Sequence, residues 1–189
     1  MRKEIITITG TLGSGKSSTA DKVANELGFR HFSSGDFMRQ LAVDMGISLN
    51  ELGEKAQTDD SIDLKIDDEV RRAGAEEKIV IDSRLAFHWI PESFKVYLDL
   101  SPEVARERIL NNLNENALRK KSENSSSPEE IQAKIDARLQ SEKKRYKDLY
   151  GIENHTDKKN FDLVIDTNKN NLEQVVDLVV SEYKKWLSR

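Results

Sequence analysis

The feature that most constrains this chain is a glycine-rich stretch, residues 10–17, which reads Gly-Thr-Leu-Gly-Ser-Gly-Lys-Ser. It follows a β-branched run, Ile5–Thr9, that predicts a buried strand. Apolar residues then recur at helical spacing from Lys16 onward, and Gly28 follows them as a helix end. The chain must therefore turn tightly from a strand into a helix at this stretch, as in folds that alternate the two elements.

The same stretch predicts a phosphate-binding loop, because every fixed position of the pattern G-x-x-x-x-G-K-[S/T] is filled. In such a loop, backbone N–H groups and the positive end of the helix face a phosphate chain. Lys16 is then expected to reach the β- and γ-phosphates of ATP, and Ser17 to bind Mg²⁺. The alternative is a tight glycine turn with a surface lysine. The predicted ATP-binding residues are Gly10, Thr11, Leu12, Gly13, Ser14, Gly15, Lys16, Ser17 and Ser18.

Elsewhere the hydrophobic pattern predicts one α/β domain of 189 residues with the P-loop NTPase fold. Strands alternate with helices, which predicts a parallel sheet of about five strands covered by helices on both faces. Three short helices in a row over 34–74 predict a lobe beside the sheet. The Asn- and Ser-rich residues 111–127 are expected to form a mobile loop. After the first strand, further strands are expected at 29–32, 78–82, 94–98 and 163–165.

Composition excludes several classes of function. The chain has no cysteine, so disulfides, cysteine zinc sites and thiol catalysis are excluded. Its net charge of −4 argues against a protein that coats nucleic acid through bulk positive charge. Neither an export signal nor a membrane span is evident in the sequence. We therefore expect a cytoplasmic protein with no nucleic-acid or membrane partner, acting as a monomer.

A carboxylate follows the apolar run Ile79–Ile81 at Asp82. An aspartate at this position after a strand is typical of a Walker B carboxylate, which predicts that Asp82 lies near Mg²⁺ together with Ser17. The other interpretation, left open at this point, is an aspartate that caps the end of a strand.

Two arginines also follow predicted strands. Arg39 comes after Ser33-Ser34-Gly35-Asp36, and Arg84 comes after Asp82-Ser83. The carboxyl ends of parallel strands meet at one sheet edge, where α/β folds bind ligands. Both arginines are therefore expected beside the glycine loop, where a guanidinium suits a phosphate better than an ammonium does.

With these motifs, the chain resembles the nucleoside monophosphate kinases, and within them the archaeal-type cytidylate kinases, over nearly its whole length. The glycine loop is one shared motif. Residues 33–39 are similar to the family's acceptor motif Ser-x-Gly-[Asp/Glu]-x-x-Arg, and residues 82–86 to its Glu-Gly-Arg-Leu-Ala. Residues 142–152 are similar to the stretch that follows the family's lid.

The resemblance implies a division into a core (1–33, 78–110 and 160–189), an acceptor-binding lobe (34–77) and a lid (111–150). It implies that Arg39 and Arg84 bind the acceptor phosphate and that Arg138 and Arg145 serve the lid. The acceptor-binding residues it implies are Ser34, Gly35, Asp36, Arg39 and Arg84, and the catalytic residues are Lys16, Arg84, Arg138 and Arg145.

Some of these assignments have structural alternatives. Arg138 and Arg145 lie on a helix rich in Glu and Lys, where surface ion pairs are the usual explanation. Asp36 is a candidate partner for a cytosine amino group, and helix N-capping is the competing and slightly preferred role. The chain departs from the family pattern at Ser83, where the family has glycine, and in its long Asn-rich region.

The resulting hypothesis is phosphoryl transfer from MgATP to CMP, with dCMP or UMP as further acceptors. The rivals are a kinase for AMP or another small molecule on the same fold, and a nucleotide-dependent switch or binding protein. Guanine recognition normally requires Asn-Lys-x-Asp, and residues 168–171 read Asn-Lys-Asn-Asn, without the aspartate. A guanine-specific switch is therefore disfavoured.

Overall fold

The structure, a computed structural model, describes residues 2–115 and 128–189, with the side chains of part of 110–138 left undescribed. In the described residues each strand is followed by one or more helices, and a 3₁₀ turn at Lys158–Asn160 precedes the last strand. The strands are β1 (Ile5–Gly10), β2 (Arg30–Ser33), β3 (Ile79–Asp82), β4 (Phe94–Asp99) and β5 (Leu163–Asp166). The helices are α1 (Lys16–Leu27), α2 (Ser34–Asp44), α3 (Leu49–Lys55), α4 (Asp60–Ala73), α5 (Ala86–Trp89), α6 (Pro102–Glu115), α7 (Pro128–Tyr150) and α8 (Leu172–Leu187).

The five strands form one parallel sheet in the order β2-β3-β1-β4-β5. This confirms the predicted α/β class and the strand count. β1 lies in the centre of the sheet, with β3 and then β2 on one side of it. After β3 the chain returns past β1 and forms β4 and then β5 on the other side. The return is a topological switch beside β1, the place where open α/β sheets bind their ligands.

Helices cover both faces of the sheet. Successive side chains of a strand point to opposite faces, so each central strand places apolar side chains against the helices on either side. On one face, Ile6, Ile8 and Val80 pack against α1 and α8. On the other face, Ile79 and Ile81 pack against α4 and α5. Side chains on both faces of β1 and β3 are buried, which explains their nearly continuous apolar sequences.

The predicted lobe of short helices is present as α2, α3 and α4, with a small apolar core of its own around Leu52. The helix α3 starts with the capping box predicted from Ser48 and Glu51, in which each residue bonds the backbone N–H of the other. The lobe is continuous with the sheet, since the far end of α4 packs on β3.

The expected loop over 111–127 is wrong for 111–115, which continue α6 as helix to Glu115. Polar asparagines do not stop a helix once its preceding turns are held in place, and here Ala105 is buried next to Gly13 of the glycine loop. Residues 116–127 lie outside the described ones. Among the described residues, the search for a helix long and apolar enough to cross a membrane found none.

Candidate active site

The register of three neighbouring strands gathers the predicted site at one sheet edge. Ile8 of β1 pairs with Asp82 of β3, and Asp82 pairs in turn with Ser33 of β2. The segments that leave these strands begin at the same height: the glycine loop, the turn that contains Arg84, and α2, which carries Arg39. The elements thus place the predicted phosphate and acceptor residues along a common edge.

Glycine is required in the loop for two physical reasons. A side chain at Gly10 would place its Cβ atom 2.6 Å from the carbonyl oxygen of Leu98 on β4, a distance that real atoms do not adopt. Gly13 and Gly15 have φ angles of 81° and 85°, in the left-handed region that favours glycine. The loop therefore hugs the neighbouring strand before it reverses into α1.

The interior of the loop is lined with polar groups. The Lys16 ammonium donates hydrogen bonds to the carbonyl oxygens of Gly10 and Thr11, both at 3.0 Å, and so arches over the loop. The hydroxyls of Thr11 and Ser14 are buried without a hydrogen-bond partner among the described residues. Buried polar atoms normally have partners, so this lining has the chemistry of an anion cradle. Ser17 and Ser18 follow on the exposed start of α1.

Asp82 connects the glycine loop with the start of α2. Its Oδ2 atom accepts a hydrogen bond from the Ser17 hydroxyl at 2.5 Å and a longer one from the Ser33 hydroxyl at 3.3 Å. The carboxylate is buried. A hydroxyl and a carboxylate oxygen in contact form the hard donor set that Mg²⁺ prefers, so these residues fit a divalent cation. The interpretation of Asp82 as a mere strand cap explains neither contact.

The start of α2 corrects one prediction. The N-cap is Ser33, whose hydroxyl accepts from the backbone N–H of Asp36, so the N-capping role expected for Asp36 is wrong. Ser34 and Gly35 form the first turn of the helix. The carboxylate of Asp36 instead pairs with the Arg39 guanidinium one turn further on, and both side chains are at least half exposed. Arg39 thus lies at the open side of the site.

Arg84 is far less exposed and has a buried partner. Its Nη1 atom lies 2.8 Å from Oε2 of Glu142 on α7, with side-chain exposures of 13% and 5% respectively. Ser83, where the resembled family has glycine, is buried, and its carbonyl accepts from the Thr9 hydroxyl. The turn that carries Arg84 is therefore fixed from both sides.

Arg145 on α7 also pairs across elements rather than along its own helix surface. Its Nε donates to Oδ2 of Asp63 on α4 at 2.7 Å, and its Nη1 donates to the Ser141 hydroxyl. With side-chain exposures of 14% and 8%, the pair with Asp63 is buried, so the surface ion-pair alternative is wrong for Arg145. Arg138 lies on the same helix, and its side chain is outside the described part of the structure.

Burial shifts several pKa values beside this cluster. Desolvation raises the pKa of Asp63, partly offset by Arg145, and also raises that of Asp67, whose carboxylate accepts from the Tyr150 hydroxyl. Burial, and then the charge of Arg84, lowers the pKa of His155 to about 4. The imidazole is therefore neutral at pH 7.

Sequence reasoning missed the buried carboxylates of this region. Asp63 and Asp67 are adjacent to the apolar stripe of Ile62, Ile66 and Val70 on α4. Their spacing of four residues on the buried side of an amphipathic helix was a usable signal. Glu142 gave no such signal, because it is one of many charged residues on α7 and only the fold brings it to Arg84.

A comparison with protein families matches residues 5–169 to the one described as the cytidylate kinase-like family. The chain belongs to the cytidylate kinase-like family. Its homologues named cytidylate kinases indicate an ATP-dependent kinase, and the match confirms the resemblance drawn from the glycine loop and the arginine motifs.

Among curated proteins, a cytidylate kinase of Methanothrix thermoacetophila is 37% identical over 165 residues, covering 87% of this chain and 89% of that protein. An S-adenosylmethionine-dependent nucleotide dehydratase of Lacinutrix mariniflava is 35% identical over 97% of this chain. This chain spans only 36% of the length of the dehydratase. The family region thus occurs both as a kinase and as part of a larger protein with a different name.

Among solved structures, shikimate kinase from Acinetobacter baumannii in complex with shikimate superposes with a TM-score of 0.62. The match covers 97% of this chain and 94% of that one at 14% identity. At this identity the likeness establishes the P-loop kinase fold alone.

Proposed function

We propose that this member of the cytidylate kinase-like family transfers the γ-phosphoryl group of ATP to CMP, with dCMP and UMP as secondary acceptors. The observation that carries the proposal is the contact of Asp82 with Ser17 on the loop side and Ser33 on the acceptor side. This contact connects a triphosphate cradle to two segments that each carry an arginine. A second phosphorylated ligand opposite ATP requires such an arrangement.

On the donor side, Lys16 and the backbone of the glycine loop would bind the ATP phosphates, and Ser17 and Asp82 would hold Mg²⁺. A bound Mg²⁺ supplies positive charge to the phosphate oxygens. The helix α1 adds the positive end of its dipole.

On the acceptor side, Arg84 and Arg39 would bind the acceptor phosphate, with Arg145 and Arg138 near the transferred group. A phosphate monoester has a second pKa of about 6, so at neutral pH the attacking oxygen is already anionic. No protein base has to remove a proton. Catalysis then consists of in-line alignment and neutralisation of charge, the terms that dominate phosphoryl transfer.

The test is a panel of acceptors. Purified protein is given MgATP together with CMP, dCMP, UMP, AMP or GMP, and ADP release is followed for each. The fastest acceptor-dependent release is expected with CMP. Release that is fastest with AMP would overturn the base assignment, and no acceptor-dependent release with any monophosphate would overturn the proposed function.

The relative named as a nucleotide dehydratase supports a second candidate. In this second candidate function, the chain phosphorylates a nucleotide that a separate S-adenosylmethionine-dependent dehydratase then consumes. The two candidates share the kinase step and differ in what uses the product. The check is to feed the kinase reaction mixture to such a dehydratase, with and without this chain. Dehydrated nucleotide that does not depend on this chain would contradict the second candidate.

A further inference from the structure

The carboxylate of Glu142 has no role in the mechanism above, although it is among the most deeply buried charged groups of the described residues. Its side chain is only 5% exposed, and its partner Arg84 is 13% exposed. Removing a carboxylate from water is costly unless it is paired, so this ion pair must define the position of both side chains. The residue that the proposed function assigns to the acceptor phosphate thus already contacts an anion from α7.

A carboxylate and a phosphate offer a guanidinium the same kind of partner, since both present oxygen atoms that match its fork of N–H groups. The neighbouring pair repeats the arrangement, with Arg145 matched by Asp63. In this cluster of four side chains the two positive charges are balanced by two negative charges. A dianionic acceptor would bind Arg84 more strongly if the balancing carboxylate withdrew.

We propose that Glu142 is a positioning residue that holds Arg84 through its carboxylate and gives it up to the acceptor phosphate when the acceptor binds. This inference rests on the proposed function. The exchange lowers acceptor affinity by the free energy of the ion pair that is broken. The exchange also couples acceptor binding to the position of α7, because Glu142 lies on that helix. Arg145 lies three residues further along the same helix.

The test is Glu142→Gln, which keeps the shape of the side chain and removes its charge. We expect the KM for CMP to fall at least about fivefold, the lower end of typical coupling between sites, while the KM for ATP changes less than about twofold. Without ligand the melting temperature should fall, because Arg84 loses its counter-charge. The rise in melting temperature on adding CMP should be larger than in the natural protein. A purely structural role would not lower the KM for the acceptor alone.

The matched control is Glu153→Gln, which removes the same charge from a side chain that is 73% exposed and pairs with Lys147. It should leave both KM values unchanged. A KM for CMP that is unchanged or raised in Glu142→Gln would overturn the exchange. If that variant does not fold, Glu142→Asp, which keeps the charge and lengthens the contact, should lower the KM for CMP in the same direction, and a rise there also overturns it.

Failure of the inference and failure of the proposed function can be distinguished. If the natural protein shows no acceptor-dependent turnover, the proposed function fails. If it turns over CMP and the variant does not bind CMP more tightly, only the exchange fails. Inorganic phosphate can replace CMP as the probe whether or not the natural protein turns over CMP. The rise in melting temperature on adding phosphate should be larger in Glu142→Gln than in the natural protein, and an equal or smaller rise contradicts the exchange.

Discussion

At the scale of single residues, Arg84 differs from Arg39 in how firmly its side chain is held. Its guanidinium lies 2.8 Å from the carboxylate of Glu142 on α7, and both side chains are largely buried. Arg39, by contrast, is half exposed and pairs only along its own helix with Asp36 in the contacts described. Arg84 therefore combines fixed orientation with a charged partner, and Arg39 has freedom to turn.

Arg84→Ala is expected to raise the KM for CMP by about tenfold to a hundredfold, the effect of losing a hydrogen bond to a charged group. The KM for ATP should change little, since the glycine loop and Lys16 remain. Steady-state kinetics with each substrate varied in turn gives both values. The control is Arg72→Ala, a 75% exposed arginine paired on the surface of α4, which should change neither. Equal losses for ATP and CMP would contradict the assignment of Arg84 to the acceptor.

Residue types at fixed spacing made the geometry of the glycine loop predictable. The glycines, Lys16 and Ser17 act close together in sequence, and the backbone angles of Gly13 and Gly15 follow from the motif itself. Ser33 as the cap of α2 was harder, because Ser33, Ser34 and Asp36 are all good N-cap residues within four positions. Only the position of β2 decides among them.

At the scale of elements, α7 is bound to the acceptor lobe by polar contacts more than by apolar ones. Arg145 pairs with Asp63, and the Tyr150 hydroxyl bonds Asp67, so two positions one turn apart on α4 hold α7. The apolar contact of Tyr150 with Trp89, which packs edge-on against it, is made to α5 outside the lobe. Movements of the lobe and of α7 should therefore be coupled.

Arg145→Met tests this connection, since methionine keeps much of the apolar stem and removes the charge. Breaking a buried pair from one side leaves Asp63 unpaired and should lower the free energy of unfolding by about 3 kcal/mol. The control is Arg72→Met, which breaks an exposed pair and should cost less than about 1 kcal/mol. Urea unfolding of the two variants gives the comparison. Similar small losses in both would mean that the pair does not hold α7.

Most helices were predictable from their ends, because the caps are local signals. The αL glycine at Gly28 and the capping box of Ser48 lie where the sequence predicts them. The extension of α6 to Glu115 was not predictable, since its Asn-rich sequence has poor helix propensity and is held by the preceding turns. The short α5 has no capping side chain and depends on its packing under β1 and β3.

At the scale of the whole molecule, the pH dependence of the free energy of unfolding is a sum over buried groups. Burial lowers the pKa of His155 and raises the pKa values of Asp63 and Asp67. His155 has a folded pKa of about 4, below its ordinary 6.5, so between these values the unfolded chain binds more protons. Stability is then lost as pH falls from 6.5 toward 4. For Asp63 and Asp67 the folded pKa values are raised, so keeping these carboxylates charged in the fold lowers stability. Protonating them as the pH falls removes part of that loss, which is opposite to the effect of His155.

Replacing His155 with asparagine isolates its share, because the two aspartates are present in both proteins. Between pH 7 and pH 4 the natural protein should lose on the order of 3 kcal/mol more unfolding free energy than His155→Asn. Urea midpoints at several pH values give the two curves. Parallel curves would show that the imidazole is not held neutral in the fold.

The strand order is the part of the whole fold that the sequence did not provide. Alternating elements predict a parallel sheet, and the glycine loop requires a helix after β1, yet both are compatible with several strand orders. Order depends on pairing between segments far apart in the chain, such as Ser33 with Asp82. Glu142 likewise meets Arg84 only through the fold, since the two are far apart in the chain. The geometry of the glycine loop was therefore predictable and the buried carboxylates beside Arg84 and Arg145 were not.

Arg2, just before β1, contacts Trp186 near the end of α8. The guanidinium lies over the indole ring and donates to the Trp186 carbonyl, so the entry to β1 and the end of α8 meet at the sheet edge opposite the glycine loop. A short linker that joins these two points should leave the fold intact, because they are already in contact. New chain ends could then be opened at the opposite edge of the sheet, next to the glycine loop, to carry a reporter.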